Sequence, residues 1–421
     1  MPIGRIHIVG AGLAGLSTAV WLARSGYRVE VYEGSSSIGG RCRSFDDPAI
    51  GRRIDNGNHL VLSGNRATLA FLAAVGAETE LIGPPRAEFR FIDLGSGERW
   101  RVRPSRGRLP WWLLSARRRI PGSQARHYLA LARLLLAKPE MTVAQCLPQR
   151  TPLFDRFIEP LVQAVLNAPV ESAAAVLLRP VLLQTFGRGE GACRPLMARD
   201  SLSSCFVDPA IEAIDDAGGC VHTLRRVRVL EFEADRLVML RFSDGECVDV
   251  KPEDTVVLAV PPEAAAELLP GVETPVGSNV IVNAHFVLRE SRAEWEIEGI
   301  IGGFSQWIFV RRDMASVTIS GADAWADHAA PSLAARIWPE VCQTLDLGGQ
   351  PLPRYRIIKE KRATFAQTPA NLARRPGTRT QWSNLFLAGD WTNTGLPATI
   401  EGSLRSGRAA ADAVLAGAAN A

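Results

Sequence analysis

The chain has 421 residues, of which 47% are hydrophobic and 22% are charged, and its formal net charge is +4 at pH 7. This length and composition predict a folded, soluble-type protein with at least two domains, and no uncharged apolar run reaches the ~18–20 residues of a membrane-spanning helix. The seven cysteines are scattered without zinc-like spacing, so we expect reduced thiols and no metal site.

The first eighty residues begin with a dinucleotide-binding fingerprint, I-H-I-V-G-A-G-L-A-G. An apolar strand runs into Gly10, which allows a tight turn, and Gly12, which lets the backbone approach a pyrophosphate. Gly15 lets the following helix pack closely on the strand, and the first turn of that helix, with Ala14, offers free N–H groups to the phosphates. A second strand ends at Glu33, where a carboxylate can accept hydrogen bonds from a ribose. The alternative is a glycine-rich turn in an ordinary α/β domain.

A second glycine motif, Gly39-Gly40-Arg41, follows Glu33 closely. An arginine at this position can reach the phosphates of a dinucleotide, although an ordinary surface arginine is the alternative. The segment closes with Asp55-Asn56-Gly57.

From about Pro84 the pattern changes to short strands at 89–92 and 99–102 and then to predicted helices. The helices are expected at 124–137, 153–166 and 171–178, which together indicate a helical insertion.

Residues 109–120 combine two tryptophans with three consecutive arginines, Arg117 to Arg119. We predict a membrane-surface element, in which aromatic rings lie at headgroup depth and arginines meet anionic lipid. The alternative is a helical hairpin packed on the substrate domain with solvated arginines. Nucleic-acid binding is not expected, because no stacking aromatics are interleaved with the arginines in a known module.

The next part of the chain alternates apolar and polar residues in short strands. After a predicted helix at 208–217, strands at 221–222, 227–232, 237–242 and 247–250 suggest a three-stranded ribbon, and 255–260 returns to the main sheet. Residues 279–360 mix strands with a helix near 333–344, which predicts a second domain built from a sheet with a helix against it.

The C-terminal part returns to nucleotide chemistry. The strand L-F-L-A ends at Gly389-Asp390, and a helix with small residues on one side is predicted over 399–415. Both NAD and FAD suit the N-terminal fingerprint. An Asp at this strand end can bind the sugar-alcohol chain of a flavin, and an NAD-only dehydrogenase needs neither this motif nor Arg41, so we expect FAD. A turn-capping role for Asp390 is the alternative.

These motifs give the chain a resemblance to the FAD-dependent amine oxidase and phytoene desaturase superfamily, and most closely to the hydroxysqualene dehydroxylases. The matching stretches are I-H-I-V-G-A-G-L-A-G-L-S (6–17), G-G-R (39–41), I-D-N-G-N-H (54–59), K-R-A-T-F-A-Q-T-P (361–369) and L-F-L-A-G-D-W-T-N-T-G-L-P-A-T-I-E-G-S-L-R-S-G (385–407). The first three of these motifs are generic to the superfamily, and the last two point to its isoprenoid branch.

The resemblance implies an α/β fold in which a discontinuous Rossmann-like FAD-binding domain carries an inserted mixed α+β substrate domain and a helical segment. The domain bounds we expect are 1–83, 191–270 and 380–421 for FAD binding, and 84–190 and 271–379 for the substrate domain. The residues it implies at the cofactor are Gly10, Gly12, Ala14, Gly15, Glu33, Gly40, Arg41, Val227 (at the adenine), Gly389, Asp390, and Thr399, Ile400 and Glu401, whose N–H groups would face the flavin.

The resemblance also implies a reaction, the reductive removal of an allylic hydroxyl from hydroxysqualene to give squalene for hopanoid or related synthesis. The partners expected are a long isoprenoid and a cytoplasmic membrane surface, with the strand at the N-terminus leaving no room for a cleavable signal peptide. A carotenoid-type desaturase, with hydride transfer in the opposite direction, is the alternative. A flavin-binding partner protein without chemistry of its own also stays open. An amine oxidase is less favoured, because after Phe386 only Trp391 offers an aromatic ring to the flavin.

The reaction needs one acid near the hydroxyl. Asp55 and His59 are the candidates, and a structural carboxylate and a packed imidazole are the equal alternatives. Many amine oxidases hold a lysine near the flavin, and here Lys359 and Lys361 flank Glu360. Either lysine can be inward, or both can lie on a solvated strand.

Overall fold

The computed structural model describes residues 4–107, 109–147 and 150–418. Its strands carry most of the fold. In chain order they are β1 (Ile6–Val9), β2 (Val29–Tyr32), β3 (Ser44–Asp47), β4 (Arg52–Asp55), β5 (Val61–Leu62), β6 (Leu81–Ile82), β7 (Phe89–Asp93), β8 (Arg99–Val102), β9 (Pro195–Ala198), β10 (Cys220–His222), β11 (Val227–Glu233), β12 (Arg236–Phe242), β13 (Cys247–Asp249), β14 (Thr255–Leu258), β15 (Ser278–Val287), β16 (Glu296–Ile301), β17 (Trp307–Arg311), β18 (Met314–Ser320), β19 (Tyr355–Phe365) and β20 (Leu385–Leu387).

The helices are mostly short. They are α1 (Leu13–Arg24), α2 (Arg66–Ala74), α3 (Ala125–Leu129), α4 (Ala132–Leu135), α5 (Val143–Cys146), α6 (Glu159–Leu166), α7 (Leu178–Gln184), α8 (Asp208–Asp216), α9 (Pro262–Leu268), α10 (Ala330–Thr344), α11 (Pro369–Ala373) and α12 (Ile400–Ala418). One-turn π segments at Phe154–Ile158 and Ser203–Val207 precede α6 and α8. None of the helices within the described residues is long and apolar enough to cross a bilayer.

A five-stranded parallel sheet, in the order β10-β2-β1-β14-β20, unites three distant parts of the chain. Helices α1, α8 and α12 pack on one of its faces. The ribbon β11-β12-β13 packs on the other face, so the sheet is buried on both sides, as parallel sheets require. The α/β class, the ribbon and the return strand β14 are as predicted.

A seven-stranded mixed sheet, in the order β19-β15-β18-β17-β16-β7-β8, forms the second layer system. Helix α10 covers one face, and the helical segment 112–178 packs against β7 and β8. Strand β16 was not predicted, because Gly299 interrupts its apolar pattern. A Cβ at Gly299 would lie 2.5 Å from the ring of Phe91, so this glycine permits a close approach of the neighbouring strand.

Two of the predicted helices were wrong in part. Residues 171–174 are not helical, because the backbone N–H of Ala174 bonds to the carbonyl of Gln367 and the carbonyl of Ala173 accepts from Val143, so tertiary bonds replace helical ones. The predicted helix over 124–137 breaks into α3 and α4. A straight helix could not bury both Tyr128 and Leu134, which lie six residues apart, whereas the broken one does.

Three side chains of types that can bind a metal lie close together at the edge of the parallel sheet, although they are distant in sequence. Glu30, Cys220 and His222 have ligand atoms within 4.8 Å of one another. His222 Nε2 is 2.9 Å from Glu30 Oε2, so a hydrogen bond between these two groups accounts for the approach.

Candidate functional site

The glycine loop after β1 combines two tightly packed glycines with a third that faces open space. Gly10 has φ +105°, and a Cβ there would lie 2.6 Å from the carbonyl oxygen of Ala259. A Cβ at Gly15 would lie 1.9 Å from the carbonyl oxygen of Gly10. Gly12, by contrast, has no neighbour within 4 Å of the position of a Cβ. Gly10 and Gly15 therefore serve the packing of the loop, whereas Gly12 leaves open space beside the helix N-terminus, where Ala14 lies in the first turn.

Glu33 lies beside this loop at the end of β2. Its carboxylate accepts a hydrogen bond of 3.0 Å from the N–H of Ala11 and one of 2.9 Å from the N–H of Ser35. The start of the ribbon is adjacent, because Arg225 donates its N–H to the carbonyl of Glu33, two residues before Val227. The acid and the ribbon strand thus border the same end of the loop.

The Gly-Gly-Arg motif joins the first part of the chain to the last. Gly39 donates its N–H to the carbonyl of Ala11, which places the two glycine loops side by side. Arg41 forms an ion pair of 2.8 Å with the buried carboxylate of Asp390 and donates to the carbonyl of Ala363. The predicted phosphate-binding arginine and the predicted flavin-binding aspartate therefore contact each other directly.

The N-terminus of α12 follows Asp390 by a short loop. Of the first amide groups of the helix, that of Gly402 donates to Thr399 Oγ1. The Glu401 carboxylate faces away from them, since it accepts from the N–H groups of Ala67 and Thr68 and from the Thr68 hydroxyl. It caps α2, so only the backbone of Glu401 is free for a cofactor.

A group of polar side chains lies at the loop after β4. Asn58 donates to Thr318 Oγ1 at 3.0 Å, and Thr318 donates to Asn283 Oδ1 at 2.9 Å. Asn58 Oδ1 is buried, and within the described residues it has no hydrogen-bond partner. A buried acceptor without a hydrogen bond costs free energy, so Asn58 Oδ1 fits a site where a polar group of a ligand donates a hydrogen bond to it. Together with the open space at Gly12, it makes the residues fit a dinucleotide such as FAD.

Comparisons with known proteins decide between the possible families. A model of the flavin-containing amine oxidoreductases matches residues 13–415. A hydroxysqualene dehydroxylase from Rhodopseudomonas palustris is 46% identical over 411 residues, which are 98% of this chain and 98% of that protein.

The chain belongs to the hydroxysqualene dehydroxylase family of flavin-containing amine oxidoreductases. It is an FAD-dependent oxidoreductase. A putrescine oxidase structure shares its fold, with a TM-score of 0.71, 16% identity and coverage of 98% and 99% of the two chains. A tomato (Solanum lycopersicum) zeta-carotene desaturase is 41% identical over only 81 residues, 19% of this chain and 14% of that protein. The relationship to desaturases is therefore partial, whereas the relationship to the dehydroxylase covers the whole length.

Asp55, the first predicted acid of this flavoenzyme, has partners inside the protein for both of its carboxylate oxygens. Its Oδ1 accepts from the Ser44 hydroxyl at 2.6 Å and from the N–H of Leu202 at 2.9 Å, and its Oδ2 forms an ion pair with Arg311. The side chain is 3% exposed. Arg311 lies 256 residues away and was not found from the sequence, because nothing local marks it as a partner of Asp55.

His59, the second predicted acid, is half-buried beside the Arg41 backbone. Burial lowers its pKa to about 4, although the Asp55 carboxylate acts in the opposite direction. The imidazole is therefore neutral at pH 7, and it is not the imidazolium that could donate a proton to a substrate. A second histidine, His285, also has its pKa lowered to about 4 by burial, and its Nδ1 is 2.8 Å from the Ser316 hydroxyl.

The two candidate lysines point away from these groups. Lys359 donates to the carbonyl of His328, and Lys361 forms an ion pair of 3.0 Å with Asp327. Between them, Glu360 projects from the opposite face of β19, and its carboxylate accepts from Asn56 Nδ2 at 3.0 Å. The sequence pattern left open which lysine is inward, but strand alternation places Glu360 on the face opposite both of them, and its bond to buried Asn56 shows that this face is the inward one.

Proposed function

We propose that the protein reductively removes the allylic hydroxyl of hydroxysqualene to give squalene. The observation that carries this proposal is the relationship to a hydroxysqualene dehydroxylase over 98% of both chains. The convergence of three separate parts of the chain on one glycine-lined site supports it, because this is what a flavin dinucleotide needs.

Each group of residues at the site would hold a different part of the cofactor. The loop of Gly10, Gly12, Ala14 and Gly15 would meet the pyrophosphate, and Glu33 would bind the adjacent ribose. Arg41 would give up part of its bond with Asp390 to a phosphate, and Asp390 would then face the sugar-alcohol chain. Gly40, Val227, Gly389 and the amides of Thr399, Ile400 and Glu401 complete the set we propose for FAD. Bound reduced flavin supplies a hydride.

The residues of this chain must also hold an apolar substrate and keep water away from it. We propose that Asp55 serves the structure rather than the proton transfer, because both of its oxygens already have partners inside the protein. His59 would pack near the flavin as a neutral ring.

We further propose that residues 109–136 bind a membrane surface. Trp111 is 64% exposed, Leu114 72%, Leu129 76% and Leu136 82%. The ring of buried Trp112 contacts that of Tyr128 in α3, which brings the neighbouring residues Trp111 and Leu129 close together in the fold. The exposed arginines beside them, such as Arg117, match anionic headgroups, and a substrate of this class dissolves in bilayers.

Two measurements test these proposals. Purified protein loaded with FAD and reduced with dithionite should convert hydroxysqualene to squalene, and the oxidised protein should leave phytoene unchanged. The reverse outcome would establish the desaturase. Sedimentation with phosphatidylglycerol vesicles should carry the wild-type protein down, whereas a W111A/L114A variant should stay in the supernatant. V276A, which alters an exposed apolar residue elsewhere, is the matched control.

A further inference from the structure

We propose that Glu360 is the acid that protonates the leaving hydroxyl, an inference that rests on the dehydroxylase function proposed above. The carboxyl group lies on β19, on the face opposite to Lys359 and Lys361. It is within hydrogen-bond distance of Asn56, in the I-D-N-G-N-H stretch. Its charge also acts on Arg41, so it lies close to the predicted phosphate-binding motif.

The other acids near this position already have partners in the structure. The carboxylate of Asp390 pairs with Arg41, that of Asp55 with Arg311, and that of Glu401 caps α2. Glu33 accepts two backbone N–H groups of the nucleotide loop region. Two of these carboxylates are therefore held by an arginine, and the other two are held by backbone N–H groups of α2 and of the nucleotide loop region.

Glu360 has a different environment. Its partners within the described residues are the neutral amide of Asn56 and the backbone N–H of Arg362, at 3.0 and 3.3 Å. Arg41 is the nearby cation, but its guanidinium is directed to Asp390 and Ala363. Within the described residues, no arginine or lysine forms an ion pair with Glu360. The Asn56 amide orients Oε2 at 3.0 Å, and the N–H of Arg362 approaches Oε1 at the longer distance of 3.3 Å.

The chemical step balances. The carboxyl proton of Glu360 passes to the hydroxyl oxygen of the substrate, the allylic C–O bond breaks, and water leaves. The carbon would receive a hydride, which bound reduced flavin would supply, and a C–H bond would form in place of the C–O bond. Glu360 is left as a carboxylate and regains its proton from solvent. Asn56 acts in this scheme as a positioning residue.

Two variants of the FAD-loaded enzyme separate proton delivery from binding. E360Q keeps a hydrogen-bonding group without an acidic proton, so hydroxysqualene turnover should fall about 100-fold or more. The affinity of the oxidised enzyme for hydroxysqualene should stay within about threefold of wild type, since one hydrogen bond is retained. E360L removes the hydrogen bond, so the preference for hydroxysqualene over squalene in equilibrium binding should fall about tenfold. E360D should recover part of the turnover.

K361Q is the matched control, because its side chain points away from the site, and it should behave as wild type in both measurements. The inference is overturned if E360Q retains turnover within about fivefold of wild type, which general acid catalysis does not allow. It is also overturned if E360Q loses its FAD, because the residue would then serve the cofactor. A wild-type enzyme that cannot consume hydroxysqualene would refute the proposed function itself, and the acid with it.

Discussion

The Asp55–Arg311 pair gives the sharpest test of whether Asp55 is structural. Arg311→Met removes the cation and leaves a carboxylate that is 3% exposed, whereas the arginine itself is 15% exposed. Loss of one partner of a buried pair costs about 3–5 kcal/mol. Two hydrogen-bond donors, Ser44 and Leu202, remain on the carboxylate, so we expect about 3 kcal/mol. Arg312→Met is the control, because its pair with Asp200 is exposed and contributes about 0–1 kcal/mol.

The assay is urea denaturation of R311M, D55N and the double variant, which form a thermodynamic cycle. In D55N the amide oxygen can keep the bonds from Ser44 and Leu202, so the double variant should be more stable than R311M. D55N should also keep most of its hydroxysqualene turnover. If the free energy of unfolding of R311M falls by less than about 0.5 kcal/mol, which is the size of an ordinary surface substitution, the pair with Asp55 does not stabilise the fold. A D55N enzyme that is stable but inactive would instead make Asp55 the acid.

Other substitutions separate binding from folding. Gly15→Val should prevent folding, because a Cβ meets the carbonyl of Gly10 at 1.9 Å, whereas Gly12→Val should fold and fail to bind FAD, as absorbance and thermal denaturation will show. Arg41→Ala should weaken FAD binding about 10- to 100-fold, as expected for a lost charged hydrogen bond, in a fluorescence titration. His285 is buried with a lowered pKa of about 4, so the unfolded chain binds its proton first. Stability should therefore fall as the pH drops from about 6.5 to 4, and less so in His285→Asn.

Much of the fold could be predicted because its signals are local. The longer period-two strands, the glycine loops and the strand ending at Asp390 each occupy a few consecutive residues and lie where they were predicted, whereas strands β3 to β6, β9 and β16 were not predicted. The helix predicted at 171–178 was wrong in part, because the helix-favouring residues there do not reveal that the N–H of Ala174 bonds to the carbonyl of Gln367. Likewise, alternation along β19 places Glu360 opposite both lysines. Only the bond of Glu360 to buried Asn56 shows which face is inward.

The I-D-N-G-N-H stretch connects the nucleotide loops to the seven-stranded sheet. Three of its side chains and one of its backbone carbonyls reach four strands of that sheet: Asp55 contacts β17, Asn56 contacts β19, and Asn58 contacts β18, while the Asn56 carbonyl accepts from Asn283 on β15. The same stretch leaves β4 beside the Gly-Gly-Arg motif, since Asn56 donates its N–H to the carbonyl of Arg43. One short segment thus sets the position of the flavin motif relative to the strands that would hold the isoprenoid. Polar residues occur in this interior stretch because their side chains bond to the second sheet. In the proposed reaction they would fix the distance between Glu360 and the flavin.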